Sequence, residues 1–218
     1  MDNPSTSNII SRSNIDIFPS DVLKWMKANA KPLMALRLMQ IAVCTAAHLY
    51  FANQNLMMDE FKELSTSGTF EYVHFSNVVV TDHINGHASM ESILQCLPNV
   101  KKFYIDEIIP SFSSPEAASN ITVPKMETFE IYLIRESFNF QTFMEFMKVH
   151  PSIHCQLLYN VHFDLTPKYM QQLQQYIDKV IADNSIQYPT PLIYFNGQKS
   201  PGALDSLYAR YIEQHGEQ

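Results

Sequence analysis

The sequence predicts an α/β chain: a short, irregular, leucine-rich-repeat-like solenoid preceded by a small N-terminal helical segment. Three observations carry this reading. In the stretch Met126 to Lys148 the hydrophobic period changes midway. Phe129, Ile131 and Leu133 alternate with Glu130 and Tyr132, as in a half-buried strand, and then Phe140, Phe143, Met144 and Met147 fall on one helical face. The apolar pattern L-x-x-L-x-L recurs along the chain, at Ala46/Leu49/Phe51, Phe70/Val73/Phe75, Val100/Phe103/Ile105, Met126/Phe129/Ile131 and Ser152/Cys155/Leu157. The middle anchors of these units are 24, 30, 26 and 26 residues apart, close to the repeat length of about 20–29 such units have. One strand–helix unit cannot bury its apolar face alone, whereas stacked neighbours can.

Taken in order, the chain divides into four parts. Residues 1–14 are rich in Ser and Asn and lack periodicity, which predicts a disordered tail. Residues 15–40 read as a helical segment. Ser20 caps it, Asp21 favours its first turn, Val22, Leu23 and Met26 form its apolar stripe, and Pro32 marks a second start before Leu33, Leu36 and Met39. Residues 41–185 carry the strand–helix units. Helices are predicted around Met57, Phe61 and Leu64, around Met90, Ile93, Leu94 and Leu97, and over Phe140–Met147. The third unit departs from the pattern, with SFSSPEAASN predicted as a polar loop. The extra length of the second unit falls in Thr81 to Ala88, whose Asn85-Gly86 pair signals a turn. A long helix follows the Thr166-Pro167 cap, with Met170, Leu173, Ile177, Val180 and Ile181 on one face. Residues 186–218 read as a strand–helix cap: Leu192 to Phe195, the turn Asn196-Gly197, and a helix carrying Leu204, Leu207, Tyr208 and Tyr211.

Composition narrows the function. Apolar residues make up 46% and aromatics 12%, enough for a substantial core, while the net charge of −7 argues against a general nucleic-acid surface. Only 5 glycines are present, too few for folds built on glycine-rich phosphate loops. Cys44, Cys96 and Cys155 are far apart and predict reduced thiols, neither a disulfide framework nor a zinc site. The N-terminus lacks a secretory signal pattern, and an intracellular protein, cytoplasmic or nuclear, is expected. The apolar stretch Leu33 to Phe51 is interrupted by Arg37, Gln40 and His48, so no membrane span is expected.

No catalytic, cofactor or metal constellation emerges. His83 and His87 flank a turn signal and do not sit on a helix. Gly197-Gln-Lys-Ser200 lacks the first glycine of a phosphate loop. Asp59-Glu60 and Asp106-Glu107 are sequence neighbours, which face apart on regular elements. No enzyme is predicted. On the strands, Tyr72, His74, Tyr104, Glu130 and Tyr132 alternate with the buried positions and project from the opposite face. They are either an ordinary polar strand face or a partner surface, for which Tyr is favoured.

Several segments carry a family resemblance: FPSDVLKWMKANAK, NLMMDEFKELSTSGTFEYVHFSNVVVTD, SILQCLPNVKKFYI, FNFQTFMEFMK and PTPLIYFNG. Over Ile15 to Tyr211 the chain resembles nematode F-box proteins with degenerate leucine-rich repeats. The resemblance implies a substrate receptor whose head docks on a Skp-type adaptor of a cullin–RING ubiquitin ligase, while the repeats hold a protein substrate. Phe18, Pro19, Val22, Leu23 and Met26 match the docking half of the head. The chain departs from the family at Gln40–Ile41, where LMALRLMQ runs directly into IAVCTAAHLYF, so the F-box-like segment 15–40 is truncated. A stand-alone leucine-rich-repeat-like interaction module without adaptor binding is the alternative expectation.

Overall fold

A computed structural model describes residues 47–82 and 86–216. The predicted tail 1–14, the helical segment 15–40 with its residues Phe18, Pro19, Val22, Leu23 and Met26, and Ala46, His83 and Asn85 lie outside the described residues. Strands and helices alternate without exception: β1 (His48–Met57), α1 (Met58–Ser65), β2 (Tyr72–Thr81), α2 (Met90–Gln95), β3 (Lys102–Asp106), α3 (Pro115–Asn120), β4 (Thr128–Ile134), α4 (Phe140–Val149), β5 (His154–Tyr159), α5 (Pro167–Asp183), β6 (Leu192–Tyr194) and α6 (Ala203–His215). The architecture is α/β. All strand pairs are parallel, in one six-stranded sheet whose spatial order follows the sequence, β1-β2-β3-β4-β5-β6. Parallel neighbours need a crossover between them, and crossovers of one hand in a sequential sheet put their helices on one face.

The register explains the core. The anchors Leu49, Val73, Phe103, Phe129 and Cys155 pair directly across five strands. The next buried row is Phe51, Phe75, Ile105, Ile131, Leu157 and Ile193. Aromatic rings bind the rows together: Phe75 meets Phe103 edge-on at 5.4 Å, and Phe103 stacks on Phe129 at 5.3 Å. Helices close over the same face, Phe61 of α1 at 5.6 Å from Phe75 and Phe143 and Phe146 of α4 at 5.4 and 5.7 Å from Phe129. Further along, α5 sets Tyr169 beside Tyr159, their hydroxyls 3.1 Å apart, and buries Leu173, Gln174 and Ile177.

Several expectations need correction. SFSSPEAASN is not wholly a loop, because Ser114 accepts from the Ala117 amide and Pro115 occupies the first turn, which together start α3. Met57 is 36% exposed, and α1 buries Met58 in its place. In α4 Phe146 is fully buried while Met144 is half-buried. Ile153 is buried where the pattern offered Ser152.

The largest correction concerns Leu133, which does not share the buried side of Phe129 and Ile131. It is 36% exposed, and Ile134 takes the core position. The cause is a backbone device repeated at one register. Just past the paired row Ala52–Ser76–Asp106–Tyr132 lie Asn53, Asn77, Glu107 and Leu133, at φ of 52°, 53°, 67° and 55°. A left-handed residue inserted into an extended chain shifts the side-chain alternation by one. In β2 the buried set accordingly passes from Val73 and Phe75 to Val78 and Val80. Because Asn53 and Asn77 coincide, and the Asn77 amide donates to Asn53 Oδ1 at 2.7 Å, β1 and β2 continue beyond the shift to ten residues each. Asn tolerates this conformation and Leu does not. Leu133→Asn is therefore expected to raise stability by up to about 1 kcal/mol, read as a higher midpoint in urea denaturation; a lower midpoint would count against backbone strain at this position.

The C-terminal segment extends the sheet and then changes face. After β6, Gly197 and Gly202 take φ of 86° and 93° and redirect the chain. α6 then meets the sheet's other side, where Tyr208 stacks on His154 at 4.2 Å and the Tyr194 hydroxyl donates to Asp205. Leu192, Leu204 and Leu207 are buried at this contact. Among the described residues no helix is long and apolar enough to cross a membrane.

Candidate functional site

Alternation sends every second strand residue away from the helices, and the register gathers these residues into rows. One row is His48, Tyr72, Lys102, Thr128 and His154; the next is Tyr50, His74, Tyr104, Glu130, Gln156 and Leu192; a third is Ala52, Ser76, Asp106 and Tyr132. All five residues expected on the partner face, Tyr72, His74, Tyr104, Glu130 and Tyr132, stand on this one face. His74, Tyr104 and Glu130 are direct neighbours on three adjacent strands. No described helix covers the face over β1, β2 and β3, although all-parallel sheets are ordinarily covered on both sides.

The face is an aromatic and polar mosaic. His48 lies 4.5 Å from Tyr72, Tyr50 meets His74 edge-on at 5.0 Å, and His74 lies 5.9 Å from Tyr104. The Lys102 ammonium sits 5.6 Å from the centre of the Tyr72 ring, a cation–π contact. His74 Nε2 is 3.1 Å from Asp106 Oδ2. The Tyr132 hydroxyl donates to Glu130.

Burial shapes the electrostatics. It raises the Glu130 carboxyl above the usual range, against the opposing pull of Lys102 and His74. Burial, with Glu130 beside it, pushes the Tyr104 phenol up to about 12. Burial also pushes His154 down to about 4, only partly offset by a hydrogen bond to the Thr190 backbone. Next to His154, Tyr208 and Tyr211 of α6 face Lys101, Lys125 and Glu127 across a cavity of about 550 Å³. The mosaic therefore continues to the wall that α6 forms.

Sequence reasoning missed His48, Tyr50, Lys102, Asp106, His154 and Tyr208. The five strand residues among them have the same parity as those it chose, so alternation alone could have found them. Nothing local signals Tyr208, because α6 reaches this face only through tertiary packing.

Other candidates separate. His87 is exposed and bridges to Thr81 in the turn after β2, while His83 lies outside the described residues. Gly197 to Ser200 forms a turn and bend. Burial pushes the Cys155 thiol up to about 12, and neither Cys155 nor Cys96 is in a disulfide. Among the described residues no group of three His, Cys, Asp or Glu side chains could hold a metal ion. Compared with protein-family models, with curated proteins and with solved structures, the chain finds no match.

Proposed function

We propose that this chain is a protein-interaction module, a leucine-rich-repeat-like solenoid whose sheet face, uncovered by the described helices over β1 to β3, holds a protein target. The observation that supports it is the in-register row Tyr50, His74, Tyr104 and Glu130, flanked by Tyr72 and Tyr132. Tyrosines held rigidly by a sheet offer large contact area at little entropic cost, with a hydroxyl for hydrogen bonding. Binding, not catalysis, is the chemistry proposed, in an intracellular setting, cytoplasmic or nuclear.

A more specific version of this reading makes the module a substrate receptor of a Skp–cullin–RING ubiquitin ligase. It is favoured by the resemblance of FPSDVLKWMKANAK to an F-box head, with Phe18, Pro19, Val22, Leu23 and Met26 as the adaptor contacts. One experiment addresses both. The full chain is used to capture a purified Skp-type adaptor, and separately to co-isolate its target from cells. Leu23→Asp is expected to abolish adaptor capture and leave target capture intact, and Tyr104→Ala to do the reverse. Failure of the unaltered chain to retain the adaptor sinks the receptor version alone. Target capture indifferent to Tyr72→Ala and Tyr104→Ala sinks the module itself.

A further inference from the structure

On β3 and β4 the open face carries a square of four side chains. Tyr104 pairs directly with Glu130, and Asp106 pairs directly with Tyr132. Carboxylates occupy one diagonal and phenol rings the other. Directly paired side chains start about 5 Å apart, and residues two apart on a strand about 6.6 Å. The square is thus close in size to a guanidinium group and the end of its stem. Its β2 side is closed by His74, which touches Asp106 Oδ2 at 3.1 Å.

Carboxylates outnumber permanent cations on this part of the face. The rows that contain the square hold two carboxylates and neither Lys nor Arg. Lys102 stands one row away with its ammonium over the Tyr72 ring. The second oxygen of Asp106, Oδ1, is itself buried and has no hydrogen-bond partner among the described residues. A carboxylate with an unpaired oxygen in a half-buried setting gains most from a donor that brings positive charge. The tyrosine rings supply the faces on which such a cation is held.

We propose that this square receives a cationic side chain, preferably arginine, carried by an extended segment of the protein target. The proposal rests on the reading of the open face as a protein-binding surface and adds what the bound segment must carry. Arginine is preferred to lysine because its planar fork can meet both carboxylates while stacking on a ring. Partial burial deepens the selectivity. An acidic residue at the same place is repelled by Asp106 and Glu130, whose present partners are only His74 and the Tyr132 hydroxyl, which is a penalty and not merely a missing attraction.

The test uses the full chain and synthetic peptides, with no knowledge of the natural target. Short peptides are randomised around a fixed central residue, in pools centred on arginine, lysine, norleucine or glutamate, and binding is followed by fluorescence polarisation. The arginine pool is expected to bind roughly tenfold more tightly than the norleucine pool, with glutamate weakest. The preference should narrow in high salt. It should collapse in the isosteric double variant Asp106→Asn, Glu130→Gln, and shrink in Tyr104→Leu, while Tyr72→Ala weakens all pools alike. Unchanged denaturation midpoints establish that these variants are folded. Pools that bind equally, yet lose binding on Tyr72→Ala, overturn the cation site and leave the protein-binding face standing. If no pool binds, or if binding ignores every substitution on the face, the protein-binding reading fails and the cation site falls with it.

Discussion

Phe129→Ala is expected to cost about 3–5 kcal/mol of stability, the range for truncating a buried aromatic ring. The residue is fully buried at the middle of the sheet. Its ring stacks on Phe103 of β3 and meets both Phe143 and Phe146 of α4 edge-on. It thus joins two strands and a helix, and its register partners Phe103 and Cys155 are equally deep. Such a cost is a large part of the total stability of a typical domain, about 5–15 kcal/mol. Urea denaturation reads it as a lower midpoint with an unchanged slope. Phe163→Ala is the contrast. That ring is 46% exposed and stacks on the Arg135 guanidinium, 4.4 Å away, so its loss should cost no more than about 1 kcal/mol. Equal costs for the two substitutions would contradict the core described here.

The second large effect is a dependence of stability on pH carried by His154. In the unfolded chain this imidazole titrates near its ordinary value of about 6.5; in the fold, burial against the sheet and the Tyr208 ring pushes it down to about 4. Between those values the unfolded state binds a proton that the folded state refuses. Stability therefore falls as pH falls from about 6.5 to about 4, and the effect is complete below that. Above pH 7 both states are neutral and His154 costs nothing. The total loss is on the order of 2–3 kcal/mol, allowing for the partial exposure of the ring. His154→Phe keeps a ring to stack on Tyr208 and removes the titration. Denaturation of both proteins from pH 8 to pH 4 should give midpoints that diverge on the acid side, with the wild type falling faster. Parallel profiles would show that His154 is hydrated in the fold.

The sequence by itself determined the alternation of strand and helix everywhere but in SFSSPEAASN, and the middle core anchor of each unit. It also determined which strand residues face away from the helices, as far as the left-handed residue of each strand that has one. These are local properties: period-two and period-3.6 patterns need no knowledge of neighbours. Thus Leu49, Val73, Phe103, Phe129 and Cys155 were legible as equivalent positions before the register paired them. The tyrosines of the open face were legible from the same parity. Only the tertiary structure decided the rest. The reversal at Leu133 depends on a left-handed residue that sequence marks at Asn53 and Asn77 but disguises at Glu107 and Leu133, where packing around the sheet holds a residue type that would not choose it. The return of α6 onto His154 depends on two glycine turns and on what the helix meets. Asp106 was set aside beside Glu107 as a sequence neighbour, and it acquired its partners, His74 across to β2 and Tyr132 across to β4, only when strands distant in sequence came into register. Side chains on adjacent parallel strands are separated by a whole crossover in the chain. A composite surface such as this one has no signature in any single stretch, although each of its residues does.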